Sequence, residues 1–180
     1  MELIAKGLHP ATSAKFQQLG IPACLIGQVI GNAPLSAGFH AIDGQWSRST
    51  FPSVNPLTED TEWVNYCAAV DLRVSHYNMR GEQKAMTGQE IHALVSDMSL
   101  IGICGFFRHP GFDGVPISWP VHVHLIDAGV KMKPELSAQV HDFRVGLNGL
   151  ASHGPYSFFT CSQYASSIIH AQWQQTNGGG

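Results

Sequence analysis

Charge is scarce in this chain: Asp, Glu, Lys and Arg together make up 13% of its 180 residues, against a hydrophobic share of 44%. Disordered chains show the opposite balance, so this one can bury a core. The formal net charge is -3, and no cluster of Lys and Arg occurs anywhere. That excludes the basic footprint which nucleic acid or an anionic membrane surface demands of a partner. Long apolar runs are missing as well. The longest, Ile21 to Ile30 and Leu100 to Phe107, are interrupted by Gly, Pro or Gln and are too short to cross a bilayer. The start, Met1-Glu-Leu-Ile-Ala-Lys6, lacks the basic, apolar and small-residue sequence of a secretory leader. The expectation is a cytoplasmic protein as sequenced, or an extracytoplasmic one had a leader been removed. CxxC pairs are absent too: Cys24, Cys67, Cys104 and Cys161 stand far apart among apolar or small neighbours, which suits buried, reduced thiols better than a disulfide framework.

What the chain has in excess is histidine, ten of them. Its length suits one domain, read here as residues 1–171 with a flexible tail at 172–180. Pro10 to Leu19 reads as a helix stopped by Gly20, and Cys24 to Ile30 as a strand. Gly44 to Thr61, rich in Ser, Thr, Pro and Asn, reads as a long loop. Val64 to Val74 reads as a central strand with Ala69, Asp71 and Arg73 on one face. Thr87-Gly-Gln-Glu90 is a capping box, and Ile91, Leu94, Val95 and Met98 follow at helical spacing until Gly102. Ile103 to Arg108 and Val121 to Asp127 read as an antiparallel strand pair. A further helix opens at Lys133-Pro134 with Leu136, Val140, Phe143 and Leu147 on one stripe. The fold class expected is α+β, a small, mainly antiparallel sheet with helices packed on one face and a metal cleft on the other.

The chemistry centres on Trp119-Pro-Val-His-Val-His-Leu-Ile-Asp127. His122 and His124, two apart on a strand, point to one face, while Val123 and Leu125 turn to the core and hold the strand in place. Ala68-Ala-Val-Asp71 puts a carboxylate inside an apolar strand, where an unpaired charge would cost several kcal/mol. Such a group needs a cation or a dense set of donors. Ser36-Ala-Gly-Phe-His40 offers a further imidazole, and Asp43 an alternative carboxylate or simply a turn residue beside Gly44.

These segments resemble the zinc site of the hedgehog/DD-peptidase superfamily, which includes zinc D-Ala-D-Ala carboxypeptidases, related phage endolysins and the hedgehog signalling domain. Ser36 to His40 and Ala69-Val-Asp71-Leu72 look like the two halves of its first motif, here parted by Ile42 to Tyr66 as an insertion over the metal. His122-Val-His124 looks like the second, in the version lacking a nearby Glu base. The resemblance implies Zn2+ held by His40, Asp71 and His124, with His122 as catalytic base. It also implies a peptide substrate, such as a peptidoglycan stem peptide containing D-amino acids, with endo or exo action undecided. Arg73, on the Asp71 face, is the candidate oxyanion donor, with Arg48 and Arg108 as alternatives. Trp119 and Tyr66 are candidates for lining a substrate groove. Asp127 would orient a ligand histidine or merely end its strand. His76, His92, His141, His153 and His170 carry no motif. Two rivals stand beside the hydrolase: a non-catalytic zinc domain of the hedgehog type, and an iron oxygenase built on two His and one carboxylate. Oligomeric state is not readable from the sequence.

Overall fold

A computed structural model describes residues 9–21, 46–54, 61–77, 80–132 and 134–178. In chain order the elements are α1 (Pro10–Gln18), β1 (Trp46–Val54), β2 (Thr61–Cys67), β3 (Ala69–Arg73), β4 (Ser75–Tyr77), β5 (Gln83–Ala85), α2 (Gly88–Ser99), β6 (Ile103–Arg108), β7 (His122–Asp127), α3 (Pro134–Val145) and α4 (Gln163–Asn177). The architecture is α+β, and its centre is a three-stranded sheet in the order β3-β7-β6, antiparallel throughout.

β7 is the middle strand, and all six of its residues are buried. Its apolar side chains meet the main core, which gathers Leu72, Ile91, Val95, Met98, Ile103, Phe106, Val123, Leu125, Leu136, Val140 and Phe143. Each such side chain contributes roughly 1.5–3 kcal/mol by leaving water. The capping box of α2 forms as its sequence requires: the Glu90 N–H donates to Thr87 Oγ1 at 3.2 Å, and the Thr87 N–H donates to Glu90 Oε2 at 2.7 Å. Gly102, at φ +89°, then ends the segment.

Four expectations need correcting. The stretch read as a loop from Gly44 to Thr61 contains β1, which pairs antiparallel with β2 from Val54 opposite Thr61 back to Trp46 opposite Cys67. Thr, Ser and Phe at positions 49–53 suit a strand, and its polar composition hid the fact. The single strand expected from Val64 to Val74 is broken at Ala68, so β2 and β3 belong to different sheets. The tail expected to fray from residue 172 is helical through Asn177. α4 starts on an N-cap in which the Ser162 hydroxyl accepts from the Ala165 N–H, and it docks through Ala165 and Ile169. Its far end is held by Trp173 Nε1 donating to Ser137 Oγ at 3.0 Å and by Asn177 bridging the Val130 carbonyl and the Met132 N–H. Finally, the helices cover both faces of the sheet. α2 sits on the Gly105 and Leu125 side, where Val95 leaves little room for a Cβ at Gly105, whereas Phe143 of α3 packs edge-on to Phe106 on the other side. The strand expected at Cys24 to Ile30 lies outside the described residues.

β6 is an edge strand, and unpaired edge groups invite association with other chains. A single hydroxyl covers two of them. Tyr156 Oη accepts from the Phe107 N–H at 2.8 Å and donates to the Gly105 carbonyl at 3.1 Å. Asp127, at the end of β7, is turned toward α1: it accepts from Thr12 Oγ1 at 2.6 Å, from Lys15 Nζ at 2.5 Å and from the Gly129 N–H at 2.8 Å. It therefore anchors a helix and does not orient an imidazole. Cys104 and Cys161 are free thiols, Cys104 fully buried. Among the described residues no helix is long and apolar enough to cross a membrane.

Candidate metal and catalytic site

Antiparallel register writes the site as two rows across the sheet. Asp71, His124 and Phe106 are in register in one row, and Arg73, His122 and Arg108 in the next. Register partners two residues apart share a face, so all six side chains belong to the same side. Asp71 is 1% exposed, and both imidazoles are 5% exposed. The charges and rings are thus held by the sheet and shielded from solvent.

Asp71 Oδ1 lies 2.8 Å from His124 Nδ1 and 3.8 Å from His122 Nε2. The other nitrogen of His124, Nε2, is 3.1 Å from Gln139 Oε1 on α3. The Gln139 amide can accept from Nε2 through its oxygen or, turned over, donate to it, and in either case Nδ1 is the nitrogen on the carboxylate side. At 2.8 Å the contact is closed by a hydrogen on Nδ1, or by a metal ion between the nitrogen and the carboxylate oxygen. His122 is fixed differently. Its Nδ1 donates to the Pro120 carbonyl at 2.8 Å, which directs the lone pair of Nε2 toward the Asp71 side. Burial lowers the His122 pKa, with nearby His124 and Arg108 acting the same way and the Asp71 carboxylate opposing them. The neutral ring is the favoured form.

Arg108 is 3% exposed; its Nη1 donates to the Asn148 carbonyl at 2.5 Å, and its guanidinium lies 4.7 Å from the centre of the Phe106 ring. Arg73, on the opposite flank of His122, is only partly buried. Trp119 is 40% exposed with its ring 6.3 Å from that of His122. The structure thus brings together Asp71, His122 and His124, sets Arg73 in register beside them, and places Trp119 against His122. His40 and Asp43 lie outside the described residues, as do the side chains of Tyr66 and Arg48. Of the histidines without a motif, His153 bonds Asp142 at 2.7 Å, His92 packs edge-on to Phe158 and Phe159, and His170 stacks on Trp173.

Gln139 is the residue that the sequence reading missed. Its signal was present: it falls at the i+3 position of the stripe Leu136, Val140, Phe143, where an amphipathic helix faces the core. A polar residue there needs a buried partner, and His124 is that partner.

Among the described residues no group of three or more His, Cys, Asp or Glu side chains is assembled to hold a metal ion. Two donors of such a set are nonetheless adjacent. Ligand atoms about 2.0–2.1 Å from a tetrahedral ion stand roughly 3.3 Å apart, so the Asp71 and His124 atoms would part by about half an ångström to admit one. The donor types, imidazole nitrogen and carboxylate oxygen, are those zinc takes. The contact of His124 Nε2 with the Gln139 amide is of the kind that supports metal-binding histidines from outside. Comparison with protein-family models, with curated proteins and with solved structures finds no match for this chain.

Proposed function

We propose that this protein is a zinc-dependent hydrolase of peptide or amide bonds, with Asp71, His124 and His40 as the protein ligands and His122 as the base. By resemblance, the substrate is a cell-wall peptide containing D-amino acids. One observation carries the reading: a buried carboxylate and an imidazole nitrogen facing each other at 2.8 Å, with the second imidazole of the same strand 3.8 Å from that oxygen. A cation answers the first contact, and a positioned base answers the second.

When bound, zinc supplies Lewis acidity and brings a coordinated water near neutral pKa. The remaining steps belong to the chain. His122, with Nδ1 tied to Pro120, presents Nε2 to take a proton from the attacking water and deliver it to the leaving amine. Arg73, less confined than Arg108, supplies positive charge to the carbonyl oxygen as it becomes anionic. Trp119 forms a wall beside His122 against which the substrate packs.

The test is metal content and turnover on protein purified without chelator or added metal. The expected result is about one equivalent of zinc and hydrolysis of peptidoglycan stem peptides. Asp71→Ala should lose the metal, whereas His122→Ala should keep the metal and lose turnover. Metal-free protein overturns the proposal. Zinc without turnover favours a non-catalytic domain, and stoichiometric iron with oxygen-dependent colour changes favours an oxygenase.

A further inference from the structure

A pocket lies on the other side of β6. Phe107 alternates with Phe106 and Arg108 along the strand, so its ring turns away from the row that holds His122. There it joins His109, Phe112, Asp113, Ser157 and Phe158 around a cavity of about 270 Å³. The rings stand at steep angles to one another. Phe107 and Phe158 are 4.6 Å apart at 52°, Phe107 and His109 5.9 Å at 61°, and His109 and Phe112 5.0 Å at 76°. Rings arranged in this way form walls, and Phe112 keeps 65% of its surface exposed at the mouth.

Among the described residues the only carboxylate of the lining is Asp113, and it is held by neutral donors. Its Oδ1 accepts from Ser157 Oγ at 2.5 Å, and its Oδ2 accepts from the N–H groups of Ser157 at 3.0 Å and Phe158 at 3.3 Å. Its backbone, at φ +49°, fixes the side chain at this turn. Among the described residues no Lys or Arg lines the cavity and Asp113 has no ion pair. Aromatic faces carry negative potential, and a fixed carboxylate adds a full charge. Apolar walls alone would admit any oily group. The charge selects among them for a cation with an apolar skin.

We propose that this aromatic cup is a binding site for alkylammonium groups, independent of the metal site. A trimethylammonium head or the end of a lysine-type side chain has the required chemistry. The cation lies against the rings of Phe107, Phe112 and Phe158, and Asp113 neutralises it from the rim.

The test is NMR titration of the full chain, following the ring signals of Phe107, Phe112 and Phe158. The probes are choline, N-acetyl-lysine-methylamide, and the neutral choline isostere 3,3-dimethyl-1-butanol. Saturable shifts with millimolar dissociation constants are expected for one or both cations, with the neutral isostere about tenfold weaker. Binding of choline alone identifies a quaternary head, and binding of the lysine amide alone identifies a primary amine. Phe112→Ala and Asp113→Asn should each weaken binding about tenfold, and Asn tolerates the positive φ so that the fold is kept. Equal binding of choline and its isostere, no saturation up to about 50 mM, or an Asp113→Asn variant that binds like the parent overturns the proposal.

Discussion

Gln139 and His124 approach at 3.1 Å across the gap between α3 and β7, and that contact holds the imidazole with its other nitrogen toward Asp71. The amide bonds Nε2 as acceptor or, turned over, as donor, and so fixes the ring with Nδ1 on the carboxylate side.

Replacing that amide separates a packing role from a directing one. Gln139→Leu keeps the volume and removes the amide; under the zinc function proposed above, affinity for the metal should fall roughly tenfold to a hundredfold, read by competition with a chromophoric chelator. Gln139→Glu restores an acceptor and should recover most of the loss. A leucine variant that binds zinc as tightly as the parent would show that His124 is oriented by something else.

Behind the same imidazole, Gly149 makes room for Phe106. A Cβ at Gly149 would sit 2.8 Å from the tip of the Phe106 ring, and the backbone there has φ +65°. Gly149→Ala therefore combines a steric clash with a strained backbone, and should lower stability in urea denaturation by about 2–3 kcal/mol. The Phe106 ring lies 6.4 Å from that of His124, so under the proposed zinc function the variant should also weaken metal binding. A change below about 0.5 kcal/mol would mean that the turn relaxes freely.

Alkali should unfold this protein sooner than its composition suggests. Burial raises the Cys104 thiol well above its ordinary 9.0, and burial raises Tyr156 above 10.0. For both groups the folded state favours the protonated form. Their contribution is complete below the unfolded values and declines as pH rises past 9 for Cys104 and past 10 for Tyr156, because the unfolded chain releases those protons first. The denaturation midpoint should fall across that range. Cys104→Ala should flatten its first part, and a midpoint unchanged between pH 8 and 11 would contradict the assignment.

Sequence periodicity was most legible where local chemistry and burial agree. Thr87 to Glu90 announces α2 because both halves of the cap lie within one turn, and the alternation of His122, Val123, His124 and Leu125 announces β7 because each residue type suits its face. Asp71 was legible as a carboxylate in an apolar strand. His124 was legible as its companion only through the family resemblance, and Gln139 not at all, since strand register is a long-range property: His124 lies 53 residues away and Gln139 a further 15. β1 and α4 were hidden for a related reason. Thr, Ser and Gln leave the conformation to tertiary pairing, and neither a seven-residue strand partner nor a cap at Ser162 is visible from composition alone.

The middle place of β7 has a consequence for errors of assembly. Bonded along both sides, it cannot shift by a single residue without presenting Val123 and Leu125 where imidazoles belong and pressing two imidazoles into the apolar layer. A mispaired molecule is therefore not a feeble version of the native one but a chain whose core and chemistry fail together. Quality control by unfolding and proteolysis would remove such misassembled copies.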